Sequence, residues 1–361
     1  MPPPPPPPPV RPEAAKPVPP PKPLTPAEIV STVFTPAAGT PVRPSASVAY
    51  ITSGSAPVFA GFGKVTLPDG SAPNEHTVYE IGSITKGLTG LLLADMAGAG
   101  EVSLHDTLDK FLAEPSTYPE AVRKITLLQL ATHSSGLPRL PGNLTFGMKD
   151  PGNPYAHYGA KELQAFLYGY APPADRTTIT PEYSNLGFGL LGHILSTKAG
   201  MPYGALLKAR VLDPLGMNDT SIVLSDDQRK RLAPGHAKGA VVGNWDLDAL
   251  AGAGAIRSTA DDMAKLLGAL MNPPDSRIGK AIKLALEPRG QLGAAKIGFA
   301  WLTSSSPNGP TFTWHNGGTG GYRSFMAFTT DGKHGVVVLT NGGDQGADPL
   351  GVSVLQKLAA R

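Results

Sequence analysis

The spacing of apolar and polar residues changes period along this chain, and the changes predict its elements. From Ser45 to Ile51 and from Pro57 to Val65, apolar positions alternate with small polar ones, the period of strands close enough in sequence to pair as a hairpin. Ser83 to Met96 is apolar at most positions and is followed by Gly98 and Gly100, which predicts a buried helix with a defined end. Between residue 104 and about residue 240, helical spacing recurs at Leu127 to Thr132, Lys161 to Tyr168, Leu186 to Ala199 and Tyr203 to Val211, broken by Pro and Gly loops. Ser258 and Thr259 precede Asp261 and Asp262 at capping-box spacing and open an apolar helix, Met263 to Leu270. The last part is β-rich at Ile297 to Thr303, Thr311 to His315, Arg323 to Thr329 and Gly335 to Thr340, and ends in a helix from about Leu350. Strands at both ends of the chain predict an α+β fold: one antiparallel sheet flanked by helices, with a mostly helical subdomain inserted at about 104–240.

Composition adjusts this picture at the N-terminus. Residues 1–26 are dominated by proline and offer little to bury, so they are expected to form a disordered, polyproline-type linker ahead of a domain spanning 27–361. A ligand for proline-recognising domains is the alternative role. Pro26-Ala27-Glu28-Ile29-Val30 then begins a short helix. No basic segment followed by an apolar core stands at the start, so no secretory signal is read there. No apolar run is long enough to span a membrane.

Charge and cysteine content narrow the chemistry. With 31 Lys and Arg against 28 Asp and Glu, the net charge is +3, and the basic residues are scattered, which argues against a nucleic-acid partner. The chain has no cysteine, which removes disulfides, thiolate metal sites and cysteine nucleophiles. His133, His193 and His236 show no metal-ligand spacing and are read as structural; no cofactor motif is found.

Three short segments carry candidate chemistry. Ser83 and Lys86 lie three residues apart at the head of the apolar helix, so they share a face. Ser83 would sit where free backbone donors favour an oxyanion, and Lys86, among Leu88, Leu91 and Leu92, would be desolvated and able to accept a proton. The plain alternative is a capping serine followed by an exposed lysine. Pro181-Glu182-Tyr183-Ser184-Asn185 enters the next helix; Tyr183, beside a cationic lysine, is expected to be partly ionised and to relay a proton, while Asn185 offers a donor and an acceptor for Lys86 and for a substrate amide. Asn185 as a helix cap is the alternative. Finally, His315-Asn316-Gly317-Gly318 ends a predicted strand with no side chain to block approach, so the Gly318 N–H can join that of Ser83 in an oxyanion hole; a flexible turn is the alternative. The sequence Gly-x-Ser-x-Gly does not occur.

Taken in order, these segments resemble the penicillin-binding protein and class C β-lactamase superfamily, which includes D-Ala-D-Ala carboxypeptidases and β-lactamase-like carboxylesterases. Leu130 to Pro138, Tyr183 to Gly192, Asp213 to Met217 and Ala251 to Met263 are also similar to it, so the resemblance spans about residues 40–345. It implies a serine acyl hydrolase in which Ser83 is the nucleophile, Lys86 and Tyr183 transfer protons, and Asn185, His315, Gly317 and Gly318 bind substrate. β-Lactam hydrolysis is the leading expectation, with D-alanyl peptide or ester cleavage as enzymatic alternatives and slow-turnover penicillin binding or a scaffold role as the non-enzymatic one. The resemblance further implies a small-molecule or peptidoglycan-like acyl substrate and a periplasmic or secreted location; the sequence leaves the oligomeric state open, with a monomer as the default. One departure stands out: His315 occupies the place of a lysine. A neutral imidazole holds a substrate carboxylate more weakly and is expected instead to hydrogen-bond Tyr183. Arg323 is a candidate replacement for the lost charge, with an exposed strand arginine as the plainer reading.

Overall fold

The computed structural model describes residues 24–35, 44–144, 150–172, 180–306 and 309–360. Its centre is an eight-stranded antiparallel sheet whose strands come from both ends of the chain. In chain order the strands are β1 (Ala46–Thr52), β2 (Val58–Phe62), β3 (Val78–Glu80), β4 (Gly235–Ala237), β5 (Ala240–Val242), β6 (Arg257–Thr259), β7 (Gly290–Leu292), β8 (Ala295–Ile297), β9 (Leu302–Ser305), β10 (Thr311–Gly318), β11 (Arg323–Thr329) and β12 (His334–Thr340). The main sheet runs β2-β1-β12-β11-β10-β9-β8-β7, while β3 pairs with β6 and β4 with β5 in two small ladders. The expected hairpin of β1 and β2 is present, and β1 meets β12 with Ala46 opposite Thr340.

Both faces of the sheet are covered, which explains the unbroken apolar run in β12. Val336 and Val338 turn to a core shared with the helices Pro26–Phe34 and Ala347–Ala359, whereas Val337 and Leu339 turn to a larger core on the helical side. Thr25 caps the N-terminal helix in a reciprocal capping box with Glu28, and its Ile29, Val30 and Phe34 are buried. The proline-rich stretch lies largely outside the described residues, but Thr25 and Pro26 already belong to this helix.

The helix expected from Ser83 runs Thr85–Gly98, preceded by a tight 3₁₀ turn at Gly82–Ile84. It is buried on every side, as a helix without a polar face must be. Two glycines allow its neighbours to close in: a Cβ on Gly87 would come 2.5 Å from the Trp301 ring, and one on Gly90 2.7 Å from the Phe299 carbonyl. The same aromatics explain a correction. The predicted strand Ile297 to Thr303 is two strands, β8 and β9, because Phe299 and Trp301 plunge into this core, with the Phe299 and Ala300 amides bonded to the Ala285 and Ala131 carbonyls instead of to a sheet neighbour.

The region 104–240 is mainly helix and loop, with Leu127–Ala131, Ala160–Tyr168, Asn185–Ala199 and Tyr203–Leu207 as expected, until β4 begins at Gly235. Among the described residues no helix is long and apolar enough to cross a membrane.

Candidate active site

Ser83 sits in the middle of the 3₁₀ turn, and this turn is wedged between β10 and the buried helix. Glycine makes the wedge possible. A Cβ on Gly317 would lie 2.1 Å from the Ile81 carbonyl oxygen and 2.9 Å from the Ser83 nitrogen, and one on Gly82, which has φ +50°, would lie 2.6 Å from the Gly318 nitrogen. The Ser324 hydroxyl donates to the Ile81 carbonyl at 2.7 Å, and the Ile81 amide donates to Ile256 at 3.0 Å. These ties fix the Ser83 and Gly318 amides next to each other at the cleft.

The three groups expected to converge do so. Lys86 is wholly buried, with its Nζ 2.9 Å from Ser83 Oγ and 2.6 Å from the Ala253 carbonyl. Burial, with the Arg139 charge second, holds its pKa well below the usual lysine value. Tyr183 hydrogen-bonds the Ser83 side chain, and its ring stands 5.0 Å from Lys86 Nζ. Burial pushes the Tyr183 phenol up to about 12, outweighing the Ser83 bond and Arg139. The expectation of a partly ionised tyrosine is thereby corrected: with Lys86 itself short of charge, nothing nearby is strong enough to draw off the phenol proton. Asn185 is the first residue of its helix and lines the cleft, while Ser184 makes the cap by accepting from the Gly187 amide. The second acceptor of Lys86 is Ala253, so Asn185 does not orient the lysine as expected.

His315 requires a further correction. Alternation along β10 turns His315 and Gly317 inward, toward the serine turn, and leaves Asn316 on the cleft. The imidazole is buried, its Nδ1 donates to the Asn316 carbonyl at 2.6 Å, and its ring centre is 6.4 Å from that of Tyr183. Burial, with Lys86 second, lowers its pKa to about 3. It is a neutral wall of the lysine pocket and neither bonds Tyr183 nor lines the cleft. His133, read as structural, also belongs here: at φ +56° it accepts the Ser184 amide on Nδ1 at 3.0 Å and stacks on Tyr183 at 4.5 Å, so it holds the tyrosine loop in place.

Sequence reasoning missed the rest of the cleft, an open space of about 740 Å³ that Arg139, Tyr155, Trp245 and Asp348 also line. Asp348 accepts from Asn316 Nδ2 at 2.5 Å, and burial raises its pKa. Arg323 does reach the cleft, where its Nη1 donates to the Thr319 and Tyr322 carbonyls at 2.8 and 2.9 Å. A signal for Arg139 was within reach, since it directly follows the segment ending at Pro138. Asp348 had none, because it lies some thirty residues from its partner.

A sheet covered on both faces, and a serine hydroxyl held between a buried amine whose charged form is disfavoured and a protonated phenol, beside paired amides, define a serine acyl hydrolase. The chain belongs to the Beta-lactamase family, whose model matches residues 30–360. It is 26% identical to the Beta-lactamase of Escherichia coli (strain K12) over 355 residues, covering 87% of this chain and 88% of that one. It is 28% identical to the D-alanyl-D-alanine-carboxypeptidase/endopeptidase AmpH of the same strain over 305 residues, covering 80% and 77%. Among solved structures, the class C β-lactamase from Rhodobacter sphaeroides superposes with a TM-score of 0.75 at 23% identity, covering 88% of this chain and 94% of that one.

Proposed function

We propose that the protein hydrolyses β-lactam amides through an acyl-enzyme on Ser83. The observation that carries this is the hydrogen-bonded set of Ser83, a charge-poor Lys86 and a protonated Tyr183. Lys86 takes the serine proton as Oγ attacks the acyl carbon, and the oxyanion lies on the Ser83 and Gly318 amides. Tyr183 supplies a proton to the leaving nitrogen, and Lys86, now protonated, restores the phenol's proton. Water then hydrolyses the Ser83 ester. Asn185 binds the acyl group from the opposite wall, and Gly317 keeps β10 free of side chains at the point of attack. The similarity to a β-lactamase over most of both chains supports the substrate class. A D-alanyl peptide substrate, supported by the similarity to AmpH, would use the same steps and would place the protein outside the cytoplasm, where such peptides are found.

Ester cleavage is a second reading, favoured by the third motif: His315 is buried and neutral, and Asp348 stands next to Asn316, so this wall lacks the fixed ammonium that would hold a leaving-group carboxylate. Incubation with a chromogenic cephalosporin, a fluorescent penicillin and a p-nitrophenyl ester, beside a Ser83→Ala control, separates these. Rapid cephalosporin turnover is expected. Stable penicillin labelling without turnover would make the protein a penicillin-binding peptidase, and ester cleavage alone an esterase. Undiminished turnover in Ser83→Ala would end the acyl-enzyme proposal.

A further inference from the structure

Arg139 is, with Arg323 and Asp348, one of three charged groups of the cleft that these catalytic steps leave unused. Its backbone is fixed, because its carbonyl accepts the Asn185 and Leu186 amides at 3.0 and 3.2 Å. Its guanidinium carbon stands 5.0 Å over the Tyr183 ring, at the edge of the cleft. No carboxylate pairs with it among the described residues, and its charge reaches Lys86, His133, Tyr155 and Tyr183. An uncompensated cation lying on the catalytic tyrosine is an electrostatic attractor for any anion that enters.

The opposite wall is different. There Arg323 has two backbone carbonyls as partners and Asp348 lies within its field, so one positive and one negative charge offset each other. An incoming carboxylate gains little next to Asn316, whose amide is already given to Asp348. The cleft is therefore polarised, with its unbalanced positive charge on the helical wall.

We propose that Arg139 anchors a carboxylate of the substrate, so that the protein prefers acyl donors whose anionic group points to the helical wall and away from the glycine strand. Arg139 suits this task because a guanidinium binds a carboxylate with two parallel hydrogen bonds. The proposal rests on the acyl-enzyme reading above, and the test keeps the two apart. Matched p-nitrophenyl esters, with a neutral acyl group (butyrate) and an anionic one (the succinate half-ester), are compared with an acetate whose phenol carries the carboxylate. The readout is the ratio of kcat/KM for an anionic ester to that for its neutral counterpart. In Arg139→Gln this ratio is expected to fall at least tenfold for one of the two anionic esters, chiefly through KM. Arg139→Lys should restore part of it, and Arg139→Glu should lower it further. Which ester responds tells whether the anion sits on the acyl or on the leaving side. A ratio within twofold of the parent's for both esters would overturn the anchor while leaving the acyl-enzyme intact. If neither these esters nor a fluorescent penicillin acylates Ser83 in the parent protein, by mass spectrometry of the quenched reaction, the acyl-enzyme reading fails and the anchor with it. Because the side chain is exposed, an unchanged melting temperature in Arg139→Gln separates loss of the anchor from loss of the fold.

Discussion

The lysine pocket and the outer cleft meet at Ser83, yet they hold charge in opposite ways. Behind the serine, Lys86, His315 and His133 are all buried and all pushed toward their neutral forms, so the pocket is polar and disfavours charge. In front of it, Arg139, Arg323 and Asp348 face solvent or half-face it and carry their charges outward. The contrast teaches that desolvation prepares the chemistry, whereas the open walls, where charge survives, are free to choose the substrate.

The most severe way to break the contrast is to remove the proposed base. Lys86→Ala is expected to lower the acylation rate by about three orders of magnitude, the middle of the range for a positioned general base, as read by stopped-flow labelling with a fluorescent penicillin; an unaltered rate would take Lys86 out of the mechanism. Next comes the junction itself. Gly317→Ala places a methyl 2.1 Å from the Ile81 oxygen and must displace the serine turn, with an expected loss of about a hundredfold in kcat, the scale of one misplaced oxyanion donor. Gly98→Ala, where no atom lies within 4 Å, is the control that should leave kcat near the parent value.

His315→Lys tests the boundary between the two regions. If the imidazole faced substrate, a lysine would tighten carboxylate-bearing substrates. Buried next to Lys86, it instead forces a second amine into the dry pocket, and a loss of stability of about 2 kcal/mol is expected, with no gain in KM for such substrates. Chemical denaturation and kinetics measure the two outcomes; a lower KM would return His315 to the cleft.

The smallest effects are those of pH. His315 is held near 3 in the folded protein and His133 is lowered too, so below the unfolded histidine value of about 6.5 the unfolded chain binds protons that the native pocket refuses. Stability is therefore complete above that value and, for His315, declines as pH falls toward 3 by about 1.4 kcal/mol per unit, with His133 adding a loss of the same sign. A melting temperature independent of pH between 6.5 and 4 in the parent, and equal to that of His315→Phe, would contradict this. Activity should rise as pH climbs through the depressed Lys86 value and should persist until Tyr183 ionises near 12 or the protein unfolds.

Much of this molecule was legible along the chain, because periodicity and capping are local. The buried Thr85–Gly98 helix, the paired faces of β12, the Thr259 cap and the three motifs all follow from neighbouring residues. Even the inward turn of His315 was implicit, since a period of two puts it on the same face as Gly317. What only the tertiary structure decided are the relations between distant segments: Ala253 as the partner of Lys86, Phe299 and Trp301 breaking a predicted strand, Asp348 on Asn316, and Arg139 lying over Tyr183. Burial and electrostatic fields are sums over everything nearby in space, so the protonation states that define this site depend on neighbours that no local pattern names.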